Sequence, residues 1–293
     1  MSEVAALTTA WYDANARDLP WRAPDVGAWP ILISEVMLQQ TPVVRVLPVW
    51  HEWVARWPAP ADLAADEAGA AIRAWGRLGY PRRAMRLHAC AGALVQRHGG
   101  VVPQRLDQML ALPGVGDYTA RAVLAFAYGQ RHPVVDTNVR RVAARAVLGR
   151  ADAGAATTPA DLSLVETLLP PEAPAAARAS AALMELGAVL CTARTPRCGD
   201  CPLRELCAWR RTGLPLPEGP SRKPQRYAGT DRQVRGLLLA VLRGSAGPVP
   251  RPDLDAVWPH DEQRERALAS LLTDGLVVRR RERYALPAGS ADI

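Results

Sequence analysis

Two acidic residues in apolar surroundings are the side chains best placed for acid–base chemistry. Glu35 lies in PILISEVMLQQTPVV (30–44), and Asp136 follows two valines where a helical pattern begins. A carboxyl among apolar side chains is either paired or has a raised pKa, whereas one at a helix N-terminus is stabilised as an anion. Cleavage of a glycosidic bond uses one acid and one anion beside the sugar. Two structural alternatives stay open, a salt bridge for Glu35 and an N-cap for Asp136.

A glycine turn in LPGVGDYTARAV (112–123) separates two amphipathic helical patterns. Gly114 and Gly116 let the backbone approach a ligand closely, and the free N–H groups of the following helix favour a phosphate there. The alternative is a glycine C-cap followed by an ordinary helix with Asp117 as its N-cap. The turn predicts a helix, a hairpin and a second helix in either case.

Four cysteines close to one another form a candidate metal centre. Six, two and five residues separate Cys191, Cys198, Cys201 and Cys207. Zinc usually takes two short ligand pairs, of which this segment has one, and a [4Fe–4S] cluster also takes four cysteines. The spacing alone leaves both open. Cys90 stands apart among helical alanines and is predicted to be a small buried hydrophobe.

The elements that must position these residues are almost all helical. From Ala5 to about Arg211, runs of Ala, Leu, Val and Arg are broken by Pro and Gly, which predicts an all-α domain over 1–211. Residues 212–229 are rich in Pro, Gly and basic residues and predict a linker, which holds Lys223, the only lysine. Residues 230–293 predict three helices and a hairpin, either a small winged-helix-like domain or a helical packing module.

Composition and charge indicate the class of partner. The chain has 293 residues, 49% of them hydrophobic, and a formal net charge of +7. The clustered arginines favour a polyanionic partner. The N-terminus has no signal-peptide pattern and no apolar run reaches about 18 residues, so we expect a soluble, cytoplasmic protein without a membrane segment.

Several motifs together resemble the helix-hairpin-helix DNA glycosylases of the endonuclease III superfamily. They are SEVMLQQT, LGY, LPGVGDYTA, VVDTNVRRV, MELGAVLC and the four-cysteine segment, in order from about Arg17 to Cys207. The pattern is most similar to the MutY-type adenine DNA glycosylases. The resemblance implies that fold, with an iron–sulfur cluster loop over 191–207, and removal of adenine mispaired with 8-oxoguanine or G after the base is flipped from the duplex.

The resemblance also implies residue roles. Glu35 would protonate the leaving adenine, Asp136 would stabilise the sugar cation, and Tyr118 would line the site beside them. The expected base- and DNA-binding residues are Arg17, Trp21 and Glu185 around the adenine pocket, Gln40 and Tyr80 as wedges in the duplex, and Gly114, Gly116 and Asn138. The expected ligands of a [4Fe–4S] cluster are Cys191, Cys198, Cys201 and Cys207.

Position 118 bears on the type of reaction. Lyases of the superfamily carry a Schiff-base lysine two residues after the glycine turn, where this chain has Tyr118. We therefore expect base removal without strand cleavage. Tyr118 does not indicate which base is removed, whereas Glu35 within SEVMLQQT favours adenine. The chain departs from the family at Pro81, where a second tyrosine is usual, and around Ser180.

Two other functions remain as alternatives. One is a related glycosylase for T or U opposite G, and the other is a DNA-binding redox sensor without catalysis, which leaves Glu35 and Asp136 unexplained. Residues 230–293 are too short for the long C-terminal lesion-reading domain of many bacterial relatives. We expect a monomer that binds double-stranded DNA with a mispaired adenine and associates with the nucleoid.

Overall fold

A computed structural model describes residues 2–215 and 227–288. Part of the predicted linker, with Lys223, lies outside these residues. The helices are α1 (Glu3–Asn15), α2 (Ala28–Leu38), α3 (Val43–Arg56), α4 (Pro60–Ala65), α5 (Ala68–Trp75), α6 (Arg82–His98), α7 (Leu106–Leu110), α8 (Asp117–Tyr128), α9 (Thr137–Ala146), α10 (Pro159–Leu168), α11 (Ala173–Val189), α12 (Ala208–Arg211), α13 (Asp231–Gly244), α14 (Arg251–Asp255) and α15 (Asp261–Thr273). Three short strands, also numbered in chain order, are β1 (Val249–Pro250), β2 (Val278–Arg280) and β3 (Arg283–Ala285).

The described chain forms two compact units. The first holds residues 2–32, 103–111 and 115–215, and the second holds residues 33–102, 112–114 and 227–288. The mostly helical architecture confirms the predicted fold class. The predicted domain boundaries stay a prediction. None of the helices in the described ranges is both long and apolar enough to cross a membrane.

In the first unit, helix α11 packs against α1, α8 and α9. Its buried face consists largely of small residues such as Ala176, Ala179 and Ala182, which allow neighbouring helices to approach closely. At Gly187 a Cβ atom would lie 2.7 Å from the carbonyl oxygen of Asn138, so only glycine fits there. This close approach fixes the start of α9, where Asp136 lies.

In the second unit, α4 and α5 pack against α6 beneath a cluster of tryptophans. The ring of Trp53 makes edge contacts with Trp57 and Trp75, with centroids 4.8 and 5.4 Å apart. All three rings are essentially buried, so they form part of the core of this unit.

The remainder of the second unit is the C-terminal region, defined here as residues 227–288. Its order is α13, β1, α14, α15, β2 and β3, and the antiparallel sheet has the strand order β1-β3-β2. Val249 pairs with Tyr284, which pairs with Arg279 on the other side. The predicted three helices and hairpin are confirmed. Strand β1 was missed, because two residues are too few to show an alternating pattern.

Candidate active site

Glu35 lies on α2 in the second unit, and its side chain is buried with only 6% exposure. All residues from 31 to 37 are buried, among them the neighbouring Ile33, Val36 and Met37. The sequence therefore placed this carboxyl correctly in apolar surroundings. A carboxyl so enclosed is shielded from bulk water, which suits a group that delivers one proton to a bound substrate.

Asp136 is the N-cap of α9 in the first unit, so the structural alternative for this residue is realised. Its Oδ1 accepts hydrogen bonds from the backbone N–H groups of Asn138 and Val139, at 2.9 and 2.7 Å. Its Oδ2 accepts from the Asn138 side-chain amide at 2.7 Å. The second oxygen is thus oriented by a side chain, so the cap also holds a carboxylate in one fixed direction.

The pKa of Asp136 differs from the sequence expectation. Burial raises the pKa of this carboxyl, although the hydrogen bonds from Val139 and Asn138 and the charge of Arg141 act in the opposite direction. The expectation of a stabilised anion considered the helix N-terminus and left out desolvation, which the sequence did not reveal.

Asn138 connects Asp136 to a cation. Its amide oxygen accepts a hydrogen bond from Arg141 at 2.8 Å, and Arg141 also donates to the Gly187 carbonyl at 2.7 Å. The Asn138 side chain is therefore engaged within the protein on both sides. In the structure, Asn138 orients the Asp136 carboxylate. Its predicted contact with DNA stays a prediction.

The glycine turn has one glycine that the backbone requires and one that it does not. Gly114 has a φ of +76°, and a Cβ atom there would lie 2.7 Å from the Cβ of Arg86. Gly116 has an extended backbone, and a Cβ atom there would meet nothing within 4 Å. Gly116 is the N-cap of α8 and supplies no side-chain cap, so the suggestion that Asp117 caps this helix is wrong. The Asp117 carboxylate instead pairs with Arg121 at 2.8 Å.

Tyr118 lines a cavity of about 310 Å³ in the first unit. Val135, which directly precedes Asp136, lines the same cavity, so the structure brings the two predicted segments together there. Sequence reasoning missed the other lining residues, because they come from distant parts of the chain, namely α8, α10 and the segments that precede α9 and α10. They are Asp117, Arg121, Pro133, Thr157, Thr158, Pro159 and Leu162.

Arg17 and Glu185, both expected near the adenine pocket, form an ion pair in which the carboxylate is buried and the arginine is partly exposed. Arg17 contacts both carboxylate oxygens, at 2.6 and 2.8 Å, and Arg22 adds a third contact of 2.8 Å. Glu185 is fully buried, and burial alone would raise its pKa, but these arginines lower it to about 2. Arg22 was missed by sequence reasoning. Trp21, also buried, lies next to it in the chain.

The two predicted wedge residues share an unusual backbone conformation. Gln40 and Tyr80 have φ values of +54° and +48°, in the left-handed region that residues other than glycine seldom adopt. Both side chains are exposed, Tyr80 by 48%. Such backbone strain persists only where the surroundings hold it, and it is often found at functional sites.

The buried Arg83 contacts the loops of both predicted wedge residues, whereas the sequence showed it only as one of the clustered arginines that favour a polyanionic partner. Its Nη1 donates to the Gln39 carbonyl at 2.5 Å, and its Nη2 donates to the Gly79 carbonyl at 3.1 Å and to Thr41 Oγ1 at 2.9 Å. Burial lowers the pKa of Arg83 to about 10. The carbonyl groups just before both wedge residues are thus fixed by one guanidinium.

The four cysteines of 191–207 lie in one loop of the first unit. Burial, followed by smaller effects of neighbouring thiols of the set, raises the pKa of Cys198 and raises that of Cys201 to about 11. Arg145 donates to Cys191 Sγ at 3.5 Å and Cys207 Sγ donates to the Arg145 carbonyl at 3.6 Å. Four thiols close enough to affect one another, with a cation beside them, fit an anionic four-thiolate centre.

Two further findings concern metal-binding side chains. Within residues 2–215 and 227–288, no three His, Cys, Asp or Glu side chains gather closely enough to share a single metal ion. Cys90 is buried on α6, and burial raises the pKa of its thiol to about 12, which confirms the prediction of a small buried hydrophobe.

Comparisons with known proteins place the site within a family. The HhH-GPD superfamily of base excision DNA repair proteins matches residues 33–167, and the iron–sulfur binding domain of endonuclease III matches residues 191–207. The second match decides between zinc and iron–sulfur in favour of a [4Fe–4S] cluster.

Among solved structures, a thermostable thymine-DNA glycosylase is 27% identical with a TM-score of 0.65, covering 71% of this chain and 95% of its own. A non-covalent endonuclease III–DNA complex is 23% identical with a TM-score of 0.61, covering 72% and 94%. The latter likeness shows the fold.

Adenine DNA glycosylases are similar over nearly the whole chain. The protein of Mycobacterium tuberculosis is 59% identical over 280 residues, which cover 95% of this chain and 91% of the relative. The protein of Mycolicibacterium smegmatis is 59% identical over 92% and 90%, and the human protein is 38% identical over 69% of this chain and 38% of its own. At this identity and coverage, the chain belongs to the adenine DNA glycosylase family of the HhH-GPD superfamily.

Proposed function

We propose that this protein removes adenine opposite 8-oxoguanine or G from double-stranded DNA, as the first step of base excision repair. The family assignment supports an N-glycosylase that acts on adenine. The observation that carries the proposal is the buried Glu35 carboxyl on the apolar helix α2, within the motif SEVMLQQT. A buried acid in this position suits protonation of a leaving purine.

The two carboxyls divide the work. Glu35 delivers its proton to the adenine ring, which makes the base a better leaving group. As the N-glycosidic bond breaks, positive charge grows on the sugar, and the oriented Asp136 carboxylate stabilises that charge. Asn138 and the first N–H groups of α9 keep this carboxylate in place throughout.

Tyr118 determines what the enzyme leaves behind. Its phenol lines the cavity but cannot form the Schiff base from which a lyase cuts the strand. The DNA strand therefore stays intact after base removal. Gly114 and Gly116 bind a phosphate through the backbone, with no base contact, and so position the duplex.

Gln40 and Tyr80 enter the duplex and occupy the space from which adenine leaves, while Arg17, Trp21 and Glu185 form the wall of the adenine pocket. The left-handed backbone and exposure of both wedge residues support this assignment. Base flipping costs stacking energy, and a wedge that is already formed recovers part of that cost.

Cys191, Cys198, Cys201 and Cys207 would hold the [4Fe–4S] cluster. When bound, the cluster cross-links the loop that carries it and so contributes folding free energy. Arg141 and Arg145 of α9 donate to backbone carbonyls at the start of this loop, at 2.7 Å each. The cluster loop is thereby tied to the helix that Asp136 caps.

The protein acts as a monomer in the cytoplasm, in association with the nucleoid. Its domains are 1–211, a linker over 212–229 and a winged-helix-like domain over 230–293. The positive charge and the fold shared with DNA glycosylases support duplex DNA as its partner.

The test is release of free base from duplexes that carry A, T or U opposite 8-oxoguanine or G. We expect release of adenine alone, and we expect Glu35→Gln to abolish release while duplex binding persists. Release that survives Glu35→Gln would refute the role of this acid. A second candidate, removal of T opposite G, rests on the 27% identity to a thymine-DNA glycosylase and on Tyr118, and release of thymine would establish it instead.

A further inference from the structure

The C-terminal region is packed firmly onto α5. Ile72 of α5 lies in the same hydrophobic core as Leu238 and Leu268 of the C-terminal region. The backbone N–H of Gly69 donates to the Pro287 carbonyl at 2.7 Å, and a Cβ atom at Gly69 would lie 2.6 Å from that oxygen. The two chain segments therefore meet backbone to backbone.

Polar contacts extend this attachment to the start of α6. The half-buried Arg243 donates to the Ile72 carbonyl at 3.0 Å, and Arg82 pairs with Asp274 at 3.3 Å. These contacts lie on both sides of the loop between α5 and α6. The C-terminal region is thus a fixed neighbour of the loop that carries Tyr80.

The C-terminal region also contacts the Tyr80 ring itself. The guanidinium carbon of Arg232, in the first turn of α13, lies 5.7 Å from the ring centroid, and that of the buried Arg83 lies 5.6 Å from it. Both distances are within the range of cation–π attraction. An exposed tyrosine on a strained backbone is thus held by two arginines, one from α6, which follows its loop, and one from the C-terminal region.

We propose that Arg232 is a positioning residue for DNA distortion, through which the C-terminal region takes part in base flipping. This inference rests on the proposed role of Tyr80 as a wedge. Arg232 restricts the Tyr80 ring to the orientation in which it enters the stack, so less side-chain entropy is lost when the duplex binds. Arg83 fixes the backbone of the loop, and Arg232 fixes the ring.

The sequence gives no indication of this role, because Arg232 lies 152 positions after Tyr80. To hold the Tyr80 ring, the C-terminal region must pack against α5 and place one cation beside the ring. Residues 227–288 do both, through the shared hydrophobic core and through Arg232.

The test uses the full chain with its cluster and compares Arg232→Ala with Arg266→Ala. Arg266 is an exposed arginine of the same region, paired with Asp231 at 3.6 Å, so its loss changes the net charge equally. Single-turnover release of adenine opposite 8-oxoguanine is measured at saturating enzyme. We expect Arg232→Ala to slow release about two- to five-fold, the range that a cation–π contact supports, and Arg266→Ala to leave it unchanged. Arg232→Lys should recover part of the rate.

A spectroscopic measurement separates positioning from chemistry. In the Glu35→Gln background, a duplex with 2-aminopurine in place of adenine reports unstacking by its fluorescence. We expect Arg232→Ala to reduce the fluorescence rise on binding. In a Tyr80→Leu background, Arg232→Ala should cause no further loss, because the contact is already absent.

Three outcomes would overturn the inference. They are equal effects of the Arg232 and Arg266 substitutions, an undiminished effect of Arg232→Ala in the Tyr80→Leu background, and a fluorescence rise that Arg232→Ala leaves unaltered. Failure of the proposed function is a different result, since the unsubstituted protein would then release no adenine from any duplex.

Discussion

Replacement of Glu185 by glutamine tests the ion pairs of a buried carboxylate beside the proposed adenine pocket. The Glu185 carboxylate is fully buried and makes contacts of 2.6 and 2.8 Å with Arg17 and 2.8 Å with Arg22. Burial acts to raise its pKa, yet the arginines lower it from the usual 4.5 to about 2. The native state therefore favours the charged carboxylate more strongly than the unfolded state does.

The pKa difference can be converted into a free energy. A shift from 4.5 to about 2 corresponds to about 3 kcal/mol at neutral pH. Because the native pKa is lowered, this stabilisation is fully present above pH 4.5 and is lost as the pH falls towards 2. By the same linkage, about 1.5 kcal/mol remains at pH 3.

The assay is urea-induced unfolding of the protein and of Glu185→Gln at several pH values. We expect the variant to be less stable by about 3 kcal/mol at pH 7, with a smaller difference at lower pH. The matched control is Glu166→Gln, since the Arg131–Glu166 pair has a similar distance of 3.0 Å but is exposed by 31% and 53%. That substitution should cost less than about 1 kcal/mol. Equal losses for the two variants, or a Glu185→Gln loss that does not change with pH, would refute the reasoning.

Three further substitutions test the glycine turn and the Asp136 cap. Gly114→Ala should lower the free energy of unfolding by about 1–3 kcal/mol and weaken duplex binding, because its φ of +76° and the Arg86 side chain exclude a Cβ atom. Gly116→Ala should stay within about 0.5 kcal/mol in the same urea titration, and equal losses would contradict this explanation. Asn138→Ala removes a hydrogen bond that lowers the pKa of Asp136, which burial already raises, so the acidic limb of the kcat profile should move to higher pH. Superimposable pH profiles would show that Asn138 does not act on this carboxylate.

Local sequence patterns predicted the local features well. Asp136 follows two buried valines and precedes a helix, so its capping position could be read from neighbouring residues. Glu35 was placed in apolar surroundings for the same reason, because its neighbours in α2 are themselves buried. The helices of the C-terminal region were predictable because α13 and α15 run for 14 and 13 residues, and α13 has a clear hydrophobic periodicity.

Contacts between distant segments could not be predicted in this way. Arg83 reads as one of several surface arginines, and only the tertiary structure shows it buried among carbonyl groups of the α2–α3 junction. Arg22 joins Glu185 across 163 positions. The raised pKa of Asp136 was also out of reach, since the extent of desolvation depends on what packs over the helix start.

Arg83 has a mechanical consequence for the two loops that it joins. Its guanidinium binds the Gln39 carbonyl on one side and the Gly79 carbonyl on the other, and the Thr41 hydroxyl that it contacts donates in turn to the Leu78 carbonyl at 3.3 Å. Displacement of either loop would break hydrogen bonds of Arg83 and leave this buried cation with too few acceptors. The Gln40 and Tyr80 loops are therefore coupled, so that in the proposed wedge role the two side chains would enter a duplex or leave it together.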